Sequence, residues 1–256
     1  FNFDGRTLRV THSDLSGALP MTLSGTTSTV DTNGFNATLS GTLSGGGALT
    51  KTGAGTLVLS GANTYGGGTR LGQGVLTPTH AQALGSGDLS QMGGELRGTT
   101  DLRLPNTPRV LQASTISAAP GTTLTLDGNF QLHADLHIGS VGNTGTVATT
   151  NPNGGYFPGF SINVDYGLLR LDTTGGLGQM MQDAPTTVAA GATLDFNDKS
   201  RSYFPLQLLQ GAGTVRIGSL ASSTLGVQAG DFSGTITGAG TLEKSSAGTL
   251  TLRGAN

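Results

Sequence analysis

Apolar residues in this chain recur at every second position, in runs of four or five residues closed off by glycine. In TLVLS (56–60), Leu57 and Leu59 alternate with Thr56, Val58 and Ser60. The same rhythm marks TLRVT (7–11), TLTLD (123–127), LLRLD (168–172), ATLDF (192–196) and TVRIG (214–218). Period two predicts strands with one buried and one solvated face, because successive side chains of a strand point to opposite sides. No window carries a sustained helical stripe. The nearest, THAQALGSG (79–87), is one turn at most. Between the runs stand GTLSGGGA, KTGAGT, SGANTYGGGT, APGT and GAGT. These read as corners, since glycine supplies positive φ and asparagine tolerates it.

The pattern also repeats at long range. Residues 39–63 and 232–256 align without a gap and agree at 15 of 25 positions. Leu57 and Leu59 return as Leu250 and Leu252, whereas Ser60 becomes Arg253. The apolar positions are kept and the solvated ones vary, as expected of a stacking repeat. Short strands with short corners admit a sandwich or barrel, an array of small β domains, or a parallel coil. A sandwich gains nothing from like strand–corner units far apart in sequence. In a coil each unit buries its leucines on the next, and like corners stack. The expected fold is all-β, a right-handed parallel β-helix, right-handed being the default for parallel connections. At about 20–25 residues per turn the chain makes about 11 turns and a rod about 50 Å long.

Prolines and aromatics interrupt the rhythm at 143–167 (Pro152, Pro158, Tyr156, Phe157, Phe160, Tyr166) and at 197–205 (Tyr203, Phe204, Pro205). These segments are expected to leave the rod as loops, because proline removes a ladder donor. The whole of 1–256 reads as a single segment with repeat copies at 39–77 and 232–256. It is expected to be a piece of a longer protein, since it stops inside its second copy. Phe1 is not a natural start, so any targeting segment is expected upstream.

Composition narrows the function classes. Of 256 residues 44 are glycine, 11% are charged and the formal net charge is −2. Disordered chains pair low hydrophobicity with high net charge, which this chain lacks. Thirteen scattered Lys and Arg give no basic stripe, so nucleic acid is not an expected partner. There is no apolar run of about 18 residues to span a membrane as a helix. With no cysteine there is neither a disulfide nor a thiolate metal site.

The segment GGGALTKTGAGTLVLSGANTYGGGTRLGQGVLT (45–77) resembles the autotransporter-associated β-strand repeat, also called the passenger-associated transport repeat. Leu49, Lys51, Gly53, Gly55, Leu57, Leu59, Gly61, Asn63, Tyr65, Gly67 and Thr69 fit the family pattern. So do Leu242, Lys244, Gly248, Leu250, Leu252, Gly254 and Asn256, while Ser246 departs from the family glycine. The resemblance implies a right-handed parallel β-helix in the passenger of a Gram-negative autotransporter. It implies display at the cell surface or secretion, through an outer-membrane translocator barrel of the same polypeptide. It also implies a role in secretion, attachment or autoaggregation. The expected partners are host or bacterial surface molecules, or a second copy. A stalk carrying an upstream enzyme such as a protease is the second reading, and a polysaccharide-active β-helix the third.

Candidate chemistry is sparse, and no cofactor is expected. In FQLHADLHI (130–138), read as one strand, His133, Asp135 and His137 share the outer face and are a candidate transition-metal row. An ordinary solvated face is the plainer reading. Asp127, Asp172, Asp195 and Asp198 could gather on one side as the carboxylates of a glycan-cutting groove. No G-x-S-x-G elbow is present, and His12 and His80 have no motif partners, so the segment is not expected to be an enzyme. Tyr156, Phe157, Phe160, Tyr203 and Phe204 are candidate ligand-binding aromatics. The alternative is that they fold back over the coil.

Overall fold

The computed structural model describes residues 1–150, 159–172, 184–197 and 203–254. Among them there is no helix. Every strand pair is parallel and joins one turn of chain to the next. Three long sheets form the sides. One has seven strands from Thr7–Arg9 to Gln131–Leu132. A second runs the whole length, twelve strands deep from Leu15–Gly17 to Thr241–Lys244, with Leu250–Leu252 also pairing on Thr224–Phe232. The third has seven strands from Leu102–Leu104 to Thr235–Thr237. One strand of the full-length sheet per turn makes the expected eleven-turn coil.

The cross-section changes along the rod. Between residues 89 and 149 each turn crosses all three sides: Ser114–Ala118 on the full-length sheet, Thr123–Leu126 on the third and Gln131–Leu132 on the first. Further on, the first sheet ends and the strands of the full-length sheet lengthen. Tyr203–Gly211 and Thr224–Phe232 have nine residues each. The long strand Thr224–Phe232 then carries two strands on its far side, Thr241–Lys244 and Leu250–Leu252.

Register turns the sequence repeat into columns. On the full-length sheet Ala37, Leu57, Leu76, Leu96, Ile116, Ile138, Val164 and Val188 lie one above another, all fully or almost fully buried. On the third sheet Leu124, Val147, Leu169, Leu194 and Val215 do the same. Each buried leucine contributes about 2 kcal/mol of transfer free energy. No turn could bury its stripe alone, so the core exists only between turns.

Three segments differ from expectation. Residues 130–138 are not one strand. Gln131–Leu132 belongs to the first sheet and Leu136–Ile138 to the full-length sheet, with a corner between them. The alternation continues because inside stays inside when a coil turns a corner. The window 143–167 is not all loop either. Thr146–Thr149 and Ile162–Val164 are in-register strands, because Val147, Ile162 and Val164 feed the buried columns. Residues 151–158, in the middle of that window, lie outside the described residues. Finally, Tyr203–Pro205 begins a strand rather than closing a loop. Its Leu208–Gly211 half pairs with Pro185–Val188, while Tyr203–Leu206 has a strand partner only at Thr224–Val227 among the described residues.

Leu57→Ala would open a cavity between the Ala37 and Leu76 rungs. The expected cost is about 3 kcal/mol, read as a lower urea midpoint or earlier proteolysis of the surrounding turns. An unchanged midpoint would contradict the stacked core.

Candidate functional site

The first repeat builds a corner. Leu49 and Lys51 lie on the same buried side of their strand, and Lys51 occupies the inward column of the first sheet between Val30 and Leu71. Its side chain is fully buried. The Nζ donates to Thr32 Oγ1 at 2.9 Å, Thr52 O at 2.8 Å, Gly53 O at 2.6 Å and Gln73 O at 3.0 Å. One ammonium thus ties three successive turns. Desolvation pushes its pKa down to about 8, with Asp31 pulling the other way. Asn63 does the same on the next corner. Its Oδ1 accepts from Leu43 N and its Nδ2 donates to Ala83 O, both at 2.7 Å. Tyr65 is fully buried with its hydroxyl 2.6 Å from Thr69 Oγ1, which in turn bonds Leu84 O. Burial raises the phenol pKa well above its ordinary value.

The glycines of the motif are there for close approach. A Cβ on Gly55 would lie 1.5 Å from Phe35 O, and one on Gly67 would lie 2.5 Å from Ala48 N. Neither backbone can move without opening the stack. The second copy forms the strands Thr241–Lys244 and Leu250–Leu252, both paired on Thr224–Phe232. Lys244 is exposed and reaches only Ser246 O.

The outer face carries a second organised set. One outward column of the full-length sheet runs from Thr56 through Glu95, Thr115, His137, Asn163 and Thr187 to Asp231 and Thr251. Its charges are neutralised in place. Arg97 Nη2 lies 2.6 Å from Glu95, His137 Nδ1 2.7 Å from Asp165, and Arg253 Nε 2.7 Å from Asp231. Desolvation raises the Glu95 pKa, but hydrogen bonds from Arg97, Ser117 and Ser140 outweigh it and hold the carboxyl below its usual range.

The residues proposed for metal binding do not converge. His133 lies at the corner after the first sheet and His137 on the full-length sheet. Asp135 accepts from Ser161 N and Oγ, and His137 is engaged by Asp165. Among the described residues no group of three His, Cys, Asp or Glu could hold a metal. Asp127, Asp172 and Asp195 do gather on the outer face of the third sheet. Each faces an arginine: Arg103 for Asp127, Arg170 for Asp172, and Arg216 at 3.7 Å for Asp195. Desolvation raises the Asp195 pKa, opposed by Arg216 and Arg170. Asp198 lies outside the described residues.

Of the aromatics, Phe160 packs half-buried against the core. Tyr203 is 46% exposed and lays its ring beside Gly226, and Tyr166 is 42% exposed at a corner. Tyr156, Phe157 and the side chain of Phe204 lie outside the described residues. Reading period two alone missed Lys51 as a corner clamp, although its parity with Leu49 already placed it on the buried side.

Comparison with known proteins agrees with this geometry. Residues 49–77 and 242–256 match the family model of the passenger-associated-transport-repeat. Over 106 residues, 41% of this chain, the sequence is 39% identical to "Adhesin BmaC autotransporter" of Brucella suis biovar 1 (strain 1330). That match spans 3% of the length of the Brucella protein. No solved structure matches. The buried Lys51, Asn63 and Tyr65 corner thus lies within the stretch that matches the passenger-associated-transport-repeat model.

Two measurements test these assignments. Lys51→Met removes four hydrogen bonds and leaves buried carbonyls unpaired. The expected loss is about 3 kcal/mol, with unfolding beginning at the turns around Gly53, seen by hydrogen exchange. Glu95 contributes stability above its ordinary pKa of 4.5, and this is lost as the pH falls through its depressed folded value. Glu95→Gln should flatten the acid side of the stability curve; an unaltered acid limb would rule out its role.

Proposed function

We propose that this chain is an adhesive segment of an autotransporter passenger, working at the cell surface or secreted beyond the outer membrane. Its translocator barrel belongs to the same polypeptide, and the segment itself performs no catalysis. The observation that carries the reading is the outward column from Thr56 to Thr251. Apart from Val75, between Thr56 and Glu95, it is polar, and Glu95 and Asp231 are each paired with an arginine. Such a face offers hydroxyl and amide groups on most rungs, about 4.8 Å apart, with little unpaired charge to repel a like surface. Each contact contributes about 1 kcal/mol or less, but a rod engages many at once. The repeats and the adhesin relative support this assignment. The aromatic residues Tyr166 and Tyr203 add exposed ring surface on the same rod.

Beads coated with the chain should clump with one another or attach to cultured host cells. Thr115→Arg combined with Thr187→Arg places unmatched charge on the column without touching the core. It should lower bead clumping or cell attachment at least tenfold while the circular dichroism spectrum stays unchanged. A chain that stays monomeric and attaches to no cell overturns the reading.

A further inference from the structure

The first sheet carries a feature that neither the core nor the matched surface explains. Seven described arginines lie against a carboxylate: Arg9, Arg97, Arg103, Arg109, Arg170, Arg216 and Arg253. Arg6, at the exposed first turn, and Arg70 do not. Arg70 is half-buried, and its Nη1 donates only to Thr27 Oγ1, at 2.7 Å. It lines a cavity of about 370 Å³ together with the corner Gly66–Gly68, Asp88, Ser90 and Arg109. Register stacks Arg70, Ser90 and Arg109 on successive turns, so the backbones of the two arginines lie two rungs, about 10 Å, apart along the rod.

Two further details point into this concavity. The Arg109 Nε is buried and has no hydrogen-bond acceptor. Its contact with Asp88, at 3.6 Å, is an ion pair beyond hydrogen-bond distance, so the guanidinium is oriented but not saturated. Gly66 has no steric reason to be glycine. Its φ is not positive, and an added Cβ would meet nothing within 4 Å. The other glycines of that corner are pressed against backbone, Gly67 on Ala48 and Gly68 on Asp88. At Gly66 the missing side chain only keeps the cavity open.

From this geometry we infer that Arg70, Arg109 and the Gly66–Gly68 corner form a binding site for the acidic groups of a linear anionic saccharide lying along the rod. Planar guanidinium groups take carboxylate or sulfate oxygens in pairs, which a neutral sugar cannot match. Two such groups, carried on turns of one column and lining one cavity, suit a polymer with more than one acidic group. Ser90, between them, and Asp88, whose second oxygen is free to accept, suit sugar hydroxyls. The site deepens the adhesive reading by naming a ligand class, and it does not require self-association.

Hyaluronan oligosaccharides, heparin oligosaccharides and neutral dextran oligosaccharides separate the possibilities when titrated calorimetrically against the whole chain. Binding of either acidic probe, weakening with added salt and absent for dextran, supports the site; hyaluronan alone assigns carboxylate and heparin alone assigns sulfate. Arg70→Gln should weaken the bound probe at least tenfold, and Gly66→Leu, which fills the cavity without strain, should do the same. Equal binding by both variants, equal binding of dextran, or no binding of either acidic probe overturns the inference. If the chain clumps or attaches to cells but Arg70→Gln does so equally, the site fails while the adhesive function stands. Saccharide binding without clumping or attachment leaves the site standing and removes the adhesive function.

Discussion

Everything in this molecule depends on one turn of chain lying about 4.8 Å above the last, with its strands paired to those of the turn below. At that spacing an inward side chain meets its equivalent one turn away, so leucine stacks on leucine and valine on isoleucine. The same spacing forbids any Cβ where the corners nest. Gly55 and Gly67 are glycine because the previous turn's backbone already fills that space. It also leaves corner carbonyls turned inward with no strand to satisfy them. Lys51 and Asn63 answer that need, each joining three turns through bonds of 3.0 Å or less. A buried ammonium is costly to desolvate, and it is kept here because four oxygens converge on it.

The outer surface follows a different rule. Seven of its carboxylates are matched by arginines on the same strand or a neighbouring turn, as in Arg97–Glu95, Arg103–Asp127 and Arg170–Asp172. Exposed pairs of this kind contribute little to stability. Their effect is to leave a long rod without a strong field, so that contacts are decided by hydrogen bonds and shape. Against that neutral background the unmatched guanidinium of Arg70 stands out. A departure from a local rule without a structural gain is where function is to be sought.

The sequence was legible where side chains alternate. Period two located the strands of the leucine columns, and the pair of copies at 39–63 and 232–256 pointed to stacking. Corners were harder. His133, Asp135 and His137 look like one row because alternation runs unbroken around a bend, yet His133 and Asp135 lie in the bend and only His137 is on a strand. Pro205 looked like a loop residue because a proline harms a central strand. Only the pairing of Tyr203–Gly211 with Thr224–Phe232 reveals that it stands in a strand. Val147, Ile162 and Val164 were hidden inside a window dominated by proline and aromatics, and their burial identifies them as part of the coil.

The amino-acid order by itself determined the parallel coil, its length and the placement of glycine at the bends, because these follow from local periodicity and backbone sterics. Which residues meet was decided only by the tertiary structure. Lys51 is sealed because Val30 and Leu71 stack on either side of it and four oxygens from three turns converge on its ammonium. Likewise Arg70 and Arg109 are 39 positions apart in the chain and two rungs apart in space. That distance is set by register, the sum of every corner length between them, and no single stretch of sequence contains it.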